Sequence, residues 1–246
     1  MQERKGVYFV SDVHLGLRTA DPAEREARFL SFLKSIPRET TAALVLLGDI
    51  WDFWYEYRDV VPREGARVVA ALVALMDAGV EVLFCEGNHD IWTFSYFESL
   101  GMKKFTQPQL LEFGGKVFCL GHGDALGGAG KDSAVLRAIF HSRLAQKCFA
   151  TIHPWLAWRF ATGWSGSSRQ KHAPYRFVPG NEPLFAFARQ KATESKVDYF
   201  IFGHYHDAVD VPVPEGGRFV VLKDWIGGGW PHAFFDGEEL TVTSSF

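Results

Sequence analysis

Residues 80–90 read Val-Glu-Val-Leu-Phe-Cys-Glu-Gly-Asn-His-Asp, an apolar run that ends in a cluster of polar side chains. The composition of residues 80–84 predicts a buried β-strand, and the following glycine marks the exit of that strand into a loop. Asn88, His89 and Asp90 offer the oxygen and nitrogen donors that divalent metal ions prefer. The segment therefore predicts a ligand-binding loop at the end of a strand.

Four further apolar runs, which also read as buried strands, end in polar clusters of this kind. Open α/β sheets bind ligands beyond the carboxyl ends of their strands, so five such exits can converge on one crevice. Taken singly, an Asp-x-His or a Gly-Asp is typical of an ordinary turn, and the interpretation depends on the ordered set. The other clusters are Asp12-Val13-His14, Gly48-Asp49, Gly121-His122-Gly123-Asp124 and Gly203-His204-Tyr205-His206.

Together the clusters predict a site for two divalent metal ions. Two ions roughly 3.5–4 Å apart need a shared anionic ligand, and Asp49 is the candidate for that bridge. Oxygen and imidazole donors without thiolate suit manganese, the ion we favour, with iron and zinc as alternatives. The predicted ligands are Asp12, His14 and His206 for one ion, and Asn88, His122 and His204 for the other.

The ordered set of clusters resembles the calcineurin-like metallophosphoesterase superfamily, and the resemblance extends from Val7 to the Asp224-Trp225 region. It implies an α/β fold, a four-layer α/β/β/α sandwich with both ions at one edge. It also implies phosphoester hydrolysis by a water that the two metals activate. A catalytic role for His89 fits this chemistry, since its imidazole could stabilise the phosphoryl oxygens or protonate the leaving group, with Asp90 orienting the ring. The alternative is a histidine that only supports the ligands.

Length and composition favour a single domain over residues 1–246, because 246 residues with 47% hydrophobic content can bury a substantial core. Residues 24–33, 66–76 and 182–191 have helical spacing, and Asn181 is the predicted N-cap of the last helix. The amino terminus carries no apolar signal-peptide region, and no apolar run is long enough to span a bilayer. We expect a cytoplasmic protein.

An inserted helical cap is predicted at about residues 125–180. A glycine-rich stretch at 127–130 precedes a helical face formed by Val135, Leu136, Ile139, Phe140 and Leu144. Residues 149–164 are rich in aromatic side chains, and residues 125–176 carry eight Lys and Arg against one acid. Packing of cap helices is one explanation for these aromatics. An apolar groove for acyl chains or a membrane surface is another, and single-stranded nucleic acid is a third.

The Gly121-to-Gly127 block and the cap, with Phe140, His153-Pro154 and the Trp164-to-Arg169 stretch, look like the UDP-2,3-diacylglucosamine diphosphatases. The segments at 222–225 and 234–237 are also similar to theirs. This resemblance implies hydrolysis of the diphosphate of UDP-2,3-diacylglucosamine to UMP and the acylated sugar 1-phosphate, a step of lipid A biosynthesis. It further implies peripheral contact with the cytoplasmic face of the inner membrane.

Two other functions stay open. The same metal site could act on another phosphodiester, such as a nucleic acid or a cyclic nucleotide, although basic residues paired with a dense apolar set favour acyl chains over nucleic acid. A non-catalytic metal-binding scaffold is the other alternative, and the complete ligand set argues against it. The periodicity gives no indication of the oligomeric state. The candidate substrate contacts are Asn88, His89, Asp132, Ser165, Ser168, Arg169 and Lys171, with a solvated basic loop as the alternative for the last two.

Overall fold

The computed structural model describes residues 4–128, 138–160 and 177–244, and two β-sheets form its centre. One sheet contains β1 (Gly6–Val10), β2 (Thr41–Leu47), β3 (Glu81–Cys85), β4 (Lys103–Phe105), β10 (His232–Phe235) and β11 (Leu240–Thr243). The other contains β5 (Gln109–Phe113), β6 (Lys116–Leu120), β7 (Tyr199–Phe202), β8 (Val209–Pro212) and β9 (Arg218–Val221). All five strands predicted from the polar clusters are present, as β1, β2, β3, β6 and β7.

The strand pairing brings the polar clusters to one edge of the molecule. The first sheet has the order β11-β10-β1-β2-β3-β4, and the pairs from β1 to β4 are parallel. The second sheet has the order β5-β6-β7-β9-β8, and β6, β7 and β9 are parallel neighbours. Because parallel neighbours end on the same side, all their carboxyl ends can contribute to one site.

Alternation along the strands produces three apolar layers. Val7, Phe9 and Val45 point between the sheets, where they pack with Phe118 and Ile201 of the second sheet. The opposite faces of the strands pack against helices. This arrangement confirms the predicted sandwich, with helices on the outer side of both sheets.

The first sheet is covered by α1 (Pro22–Ser35) and α2 (Ala66–Asp77), and the second by α5 (Pro183–Glu194). Asp21 begins α1, because its carboxylate accepts hydrogen bonds from the N–H groups of Ala23 and Glu24. The prediction for Asn181 was wrong: it ends a 3-10 turn (Pro179–Asn181), and Glu182 occupies the N-cap position of α5. A short helix, α3 (Tyr96–Ser99), follows β3.

Within the predicted cap, residues 138–160 contain α4 (Arg143–Ala150) and further helical residues at 138–141 and 154–160. The single apolar helical face predicted through Leu144 is interrupted, because the Ser142 hydroxyl accepts from the Ala145 N–H and starts a new helix. Phe140 packs on Trp92, whereas Leu144 is 72% exposed.

Aromatic side chains of the sandwich fix the cap in place. The Tyr55 hydroxyl donates to the Gln146 carbonyl at 2.6 Å, and the Tyr57 hydroxyl donates to the Ile152 carbonyl at 3.2 Å. The indole of Trp92 donates to a third cap carbonyl, that of Phe140, at 2.8 Å.

Within the described ranges, no helix combines the length and apolarity needed to cross a bilayer.

Candidate metal centre

The predicted metal ligands lie directly beyond the strand ends, and most of them have an unusual backbone. Asp12 and His14 follow β1, Asp49 follows β2, Asn88 follows β3, His122 follows β6, and His204 and His206 follow β7. Five of these seven have positive φ angles: Asp12 (53°), His14 (51°), Asp49 (53°), His204 (72°) and His206 (57°). Left-handed backbone at non-glycine residues costs of order 1–3 kcal/mol each, and it clusters at functional sites.

One group of donors consists of Asp12, His14 and His206. The Nε2 atoms of both histidines lie 3.6 Å from Asp12 Oδ1, and the two rings stack at a centroid distance of 5.0 Å. One donor atom from each of the three residues falls within 4.8 Å of the others. These are the residues predicted for one of the two ions.

The second predicted group also comes together. His122 Nε2 lies 3.2 Å from Asn88 Oδ1 and 3.5 Å from Asp49 Oδ2. The ring of His204 lies edge-on to that of His122, with 5.1 Å between centroids. Asp49 Oδ2 is also 3.7 Å from His14 Nε2, so this carboxylate stands between the two groups, as expected of a bridging ligand.

Three of the histidines are held by their other ring nitrogen. His14 Nδ1 lies 3.2 Å from Asp52 Oδ1, and His206 Nδ1 lies 3.4 Å from an oxygen of Asp224. His122 Nδ1 lies 2.9 Å from the carbonyl of Leu47. Such contacts fix the tautomer and leave Nε2 as the donor toward a metal.

The neighbouring histidines keep Asp12 and Asp49 ionised although both carboxylates are buried. Burial by itself would raise the pKa of Asp12, but the adjacent His14 imidazole and the positive charge of His206 lower the pKa below its usual range. Burial has the same opposing effect on Asp49, where the charges of His122 and His89 lower the pKa. Burial, followed by repulsion from His122, lowers the pKa of His204 to about 4, so this imidazole is neutral at pH 7.

The donor set fits divalent transition-metal ions. Asp12 Oδ1 is fully buried and has no hydrogen-bond partner within the described parts of the chain. A buried carboxylate oxygen without a donor is costly unless a cation satisfies it. Carboxylate, amide and imidazole donors gathered in a buried pocket are suited to such a cation.

Two glycines allow the loops to approach so closely. A Cβ atom on Gly87 would collide with Asp49 Oδ1, and one on Gly203 would collide with Asp12 Oδ2 and Ser11. Both positions therefore exclude larger residues for a steric reason.

Asp90 has a different environment from the one predicted. Its carboxylate is fully buried, and burial followed by the negative charge of Asp49 raises its pKa to about 7. Its oxygens accept hydrogen bonds from the backbone N–H groups of Asp49, Ile50, Trp51 and Gly87. The prediction that Asp90 orients the His89 ring is therefore wrong. The Asp90 carboxylate instead accepts hydrogen bonds from the backbone at two strand exits.

Asp52 holds His89 instead. His89 Nδ1 lies 2.8 Å from the Asp52 carbonyl oxygen and 3.6 Å from its carboxylate. The His89 side chain is 23% exposed, and its Nε2 lies 4.0 Å from Asp49 Oδ2. The ring is therefore fixed at one nitrogen and points the other toward the candidate bridging ligand.

Asp52 and Asp224 are site residues that the sequence interpretation did not identify. Asp52 stands three residues after Asp49, and this Gly-Asp-x-x-Asp spacing is a signal that could have been used. Asp224 follows β9 and meets His206 only because β7 and β9 pair. The proposed substrate contacts Asp132, Ser165, Ser168, Arg169 and Lys171 lie outside the described residues.

A small cavity of about 80 Å³ adjoins the second donor group. Gly87, Asp124 and, from the predicted cap, His141 are among its lining residues. Gln107 also lines the cavity, and its amide donates to Asp124 Oδ1 at 2.5 Å while its carbonyl oxygen accepts from the Gly123 N–H at 2.7 Å. The lining thus includes residues close in sequence to Asn88 and His122 and one residue of the predicted cap.

Known proteins are similar to this chain over most of its length. The UDP-2,3-diacylglucosamine hydrolase of Porphyromonas gingivalis is 35% identical, with 98% of both chains covered. The protein of that name from Serratia proteamaculans is 31% identical, with 88% of this chain and 90% of that protein covered. A dimetal phosphatase from Danio rerio has 16% identity and a TM-score of 0.48, with 94% and 91% covered.

A family model described as calcineurin-like phosphoesterase matches residues 6–208, which include all seven predicted metal ligands. With this match and the two hydrolases above, the chain belongs to the calcineurin-like phosphoesterase family.

Proposed function

We propose that this protein hydrolyses the diphosphate bond of UDP-2,3-diacylglucosamine to UMP and 2,3-diacylglucosamine 1-phosphate, a step of lipid A biosynthesis. The convergence of Asp12, His14, Asp49, His122 and His206 at one edge carries this proposal. The names of the relatives, UDP-2,3-diacylglucosamine hydrolase in several species, support the substrate.

The seven predicted ligands, from Asp12 to His206, would hold two divalent ions, which we propose to be manganese, with iron or zinc as alternatives. When bound, such ions supply Lewis acidity that activates a water nucleophile and neutralises charge on phosphoryl oxygens. Attack on one phosphorus breaks its bond to the bridging oxygen, which leaves with the other phosphate. Asp49 lies between the two donor groups and is the proposed bridge.

His89 is the proposed acid–base residue. Its Nδ1 is anchored on the Asp52 carbonyl oxygen, so Nε2 is the nitrogen available to bond a phosphoryl oxygen or to protonate the leaving phosphate. Asn88 would contact the substrate from the adjacent position. Asp132, Ser165, Ser168, Arg169 and Lys171 remain proposed substrate contacts.

The cap is proposed to hold the acyl chains and to contact the membrane surface. We propose one domain over residues 1–246 with this cap inserted at about 125–180. Phe160 is 70% exposed and Trp155 is 59% exposed, and the Arg159 guanidinium lies 5.1 Å from the Trp155 ring centroid. Exposed apolar rings beside cations favour an interface with anionic lipid. The proposed location is the cytoplasmic face of the inner membrane, in peripheral contact.

The test compares the wild-type protein with Asp49→Ala on UDP-2,3-diacylglucosamine, with and without manganese, and detects both products by mass spectrometry. Asp236→Asn is the matched control, because this exposed carboxylate only caps a turn. We expect metal-dependent release of both products by the wild type and the control, and none by Asp49→Ala. Hydrolysis of an aryl phosphodiester without action on the lipid would contradict the substrate assignment and leave another phosphodiester as the substrate.

A further inference from the structure

The two donor groups differ in what stands behind their histidines. In the first group, His14 Nδ1 contacts the Asp52 carboxylate at 3.2 Å and His206 Nδ1 contacts the Asp224 carboxylate at 3.4 Å. In the second group, His122 Nδ1 contacts a neutral backbone carbonyl, that of Leu47, at 2.9 Å. Two carboxylates therefore contact the histidines of the first group, whereas in the second group a neutral carbonyl contacts His122.

Asp224 is firmly positioned for this contact. Its Oδ1 accepts a hydrogen bond from the Ile226 N–H at 2.7 Å, which leaves Oδ2 directed to His206. The next residue, Trp225, donates its backbone N–H to the Asp12 carbonyl at 3.1 Å. The exit of β9 is thereby tied to the exit of β1, so Asp224 is held beside Asp12, another member of the same donor group.

The ligands themselves differ in the same direction. Asp12, in the first group, is a carboxylate, whereas the corresponding oxygen ligand of the second group is the neutral amide of Asn88. Asp124 is a carboxylate on the side of the second group, but its Oδ1 accepts from the Gln107 amide at 2.5 Å. The negative charge of Asp12 and the carboxylate contacts of His14 and His206 both favour cation binding by the first group.

A carboxylate on Nδ1–H raises the basicity of an imidazole and holds its ring, and loss of such a partner typically costs 10–100-fold in metal affinity. We propose that the two metal subsites have unequal affinities. Asp52 and Asp224 are positioning residues that make the Asp12–His14–His206 subsite the tighter one, and the subsite of Asn88, His122 and His204 is the weaker. This inference rests on the two-metal site proposed above.

The test is a manganese titration of the full-length, chelator-stripped protein without substrate, by calorimetry and by metal analysis after equilibrium dialysis. We expect two separable binding steps for the wild type. Asp224→Asn has the same size and keeps an oxygen for Ile226, but its amide can present N–H to His206 Nδ1 and impose the wrong tautomer. It should weaken the tighter step by about 10–100-fold and leave the weaker step unchanged.

Matched variants identify the steps. Asp207→Asn removes the same negative charge from the residue after His206. The Asp207 carboxylate accepts a hydrogen bond from the Ala208 N–H. Because this contact involves no predicted ligand, both binding steps should stay unchanged. Asn88→Ala should remove only the weaker step. If Asp224→Asn does not fold, as judged by circular dichroism of the apo protein, Asp52→Asn tests the same tighter step through His14.

Two equal steps in the wild type would overturn the inference, as would loss of the Asn88-dependent step in Asp224→Asn. Because no substrate is present, the result is independent of which phosphoester the protein hydrolyses. A protein that binds two manganese ions unequally but fails on the lipid would thus refute the substrate assignment alone.

Discussion

The buried Asp90 carboxylate accepts a hydrogen bond from the backbone N–H of Asp49 at 3.2 Å. The same carboxylate accepts from the N–H groups of Ile50 and Gly87, at 2.8 Å each, so it joins the exits of β2 and β3. Asp49 needs this support because its φ of 53° is unfavourable for a non-glycine residue. Asp90 thus holds the backbone of the candidate bridging ligand.

Replacement of Asp90 should therefore damage both stability and metal binding. Asp90→Ala leaves several buried N–H groups without an acceptor, at about 1–3 kcal/mol for each group that stays unsatisfied. We expect a loss of at least about 2 kcal/mol in the unfolding free energy and a low manganese content. Denaturant unfolding of the metal-free protein and metal analysis measure these two effects.

Asp236→Ala is the control for this change, since its carboxylate also accepts two backbone N–H groups but in an exposed turn, where water can replace it. Equal losses in both variants, or a stable Asp90→Ala protein with full metal content, would contradict the role of Asp90 in holding Asp49.

His89→Ala should lower turnover with little effect on metal content. The ring is partly exposed beside the donor groups and is anchored through Asp52, as expected for a proton-transfer residue. General acid–base groups contribute about 10²–10⁴-fold, and we expect a decrease of kcat in this range. Steady-state kinetics and metal analysis of the same sample provide the measurement, with His232→Gln as the control, because this histidine packs on Tyr8 and Phe32 and belongs to neither donor group. Turnover at the wild-type level would remove His89 from the mechanism.

The convergence of the candidate metal ligands could be predicted from the sequence because each lies next to a strand end, and strand ends are visible as local apolar runs. Asp49, Asn88 and His122 all follow this rule, and the sheet pairing brings them together as expected. The sandwich is implied by the resemblance to the calcineurin-like metallophosphoesterases, because the apolar runs by themselves predict strands and helices but not how two sheets pack.

The residues behind the ligands could not be predicted in the same way. Asp224 meets His206 across the β7–β9 pair, and no local pattern indicates which carboxylate will face a given histidine. The role of Asp90 was mistaken because adjacency to His89 in sequence suggested adjacency of side chains, whereas successive residues of a loop can point in opposite directions. The helix break at Ser142 was missed because apolar spacing continued through it.

Removal of the tyrosine hydroxyls should loosen the cap. Tyr55→Phe with Tyr57→Phe keeps the aromatic packing but removes two hydrogen bonds to cap carbonyls, each contributing about 0.5–1.5 kcal/mol. We expect faster hydrogen–deuterium exchange in α4 and a higher KM for the acylated substrate, with hydrolysis of a small aryl phosphodiester unchanged.

Tyr199→Phe is the control for the cap variant, because this tyrosine packs between the sheets against Phe118 and Phe235. Unchanged exchange in α4 of the double variant would show that ring packing alone, such as that of Phe149 on Trp92, holds the cap.

His232 should make stability depend on pH in the acid range. Burial lowers the pKa of its imidazole from the ordinary value of 6.5, and the ring packs on Tyr8 and Phe32. Because the unfolded chain binds the proton more readily, this contribution is fully present above about pH 6.5 and is lost as the pH falls toward the folded-state pKa. His232→Gln cannot titrate, and its amide can still donate to the Trp230 carbonyl that lies 2.7 Å from His232 Nδ1. In denaturant unfolding at about pH 7.5 and about pH 5.5, the variant should lose less stability than the wild type, and equal losses would show that His232 is not responsible.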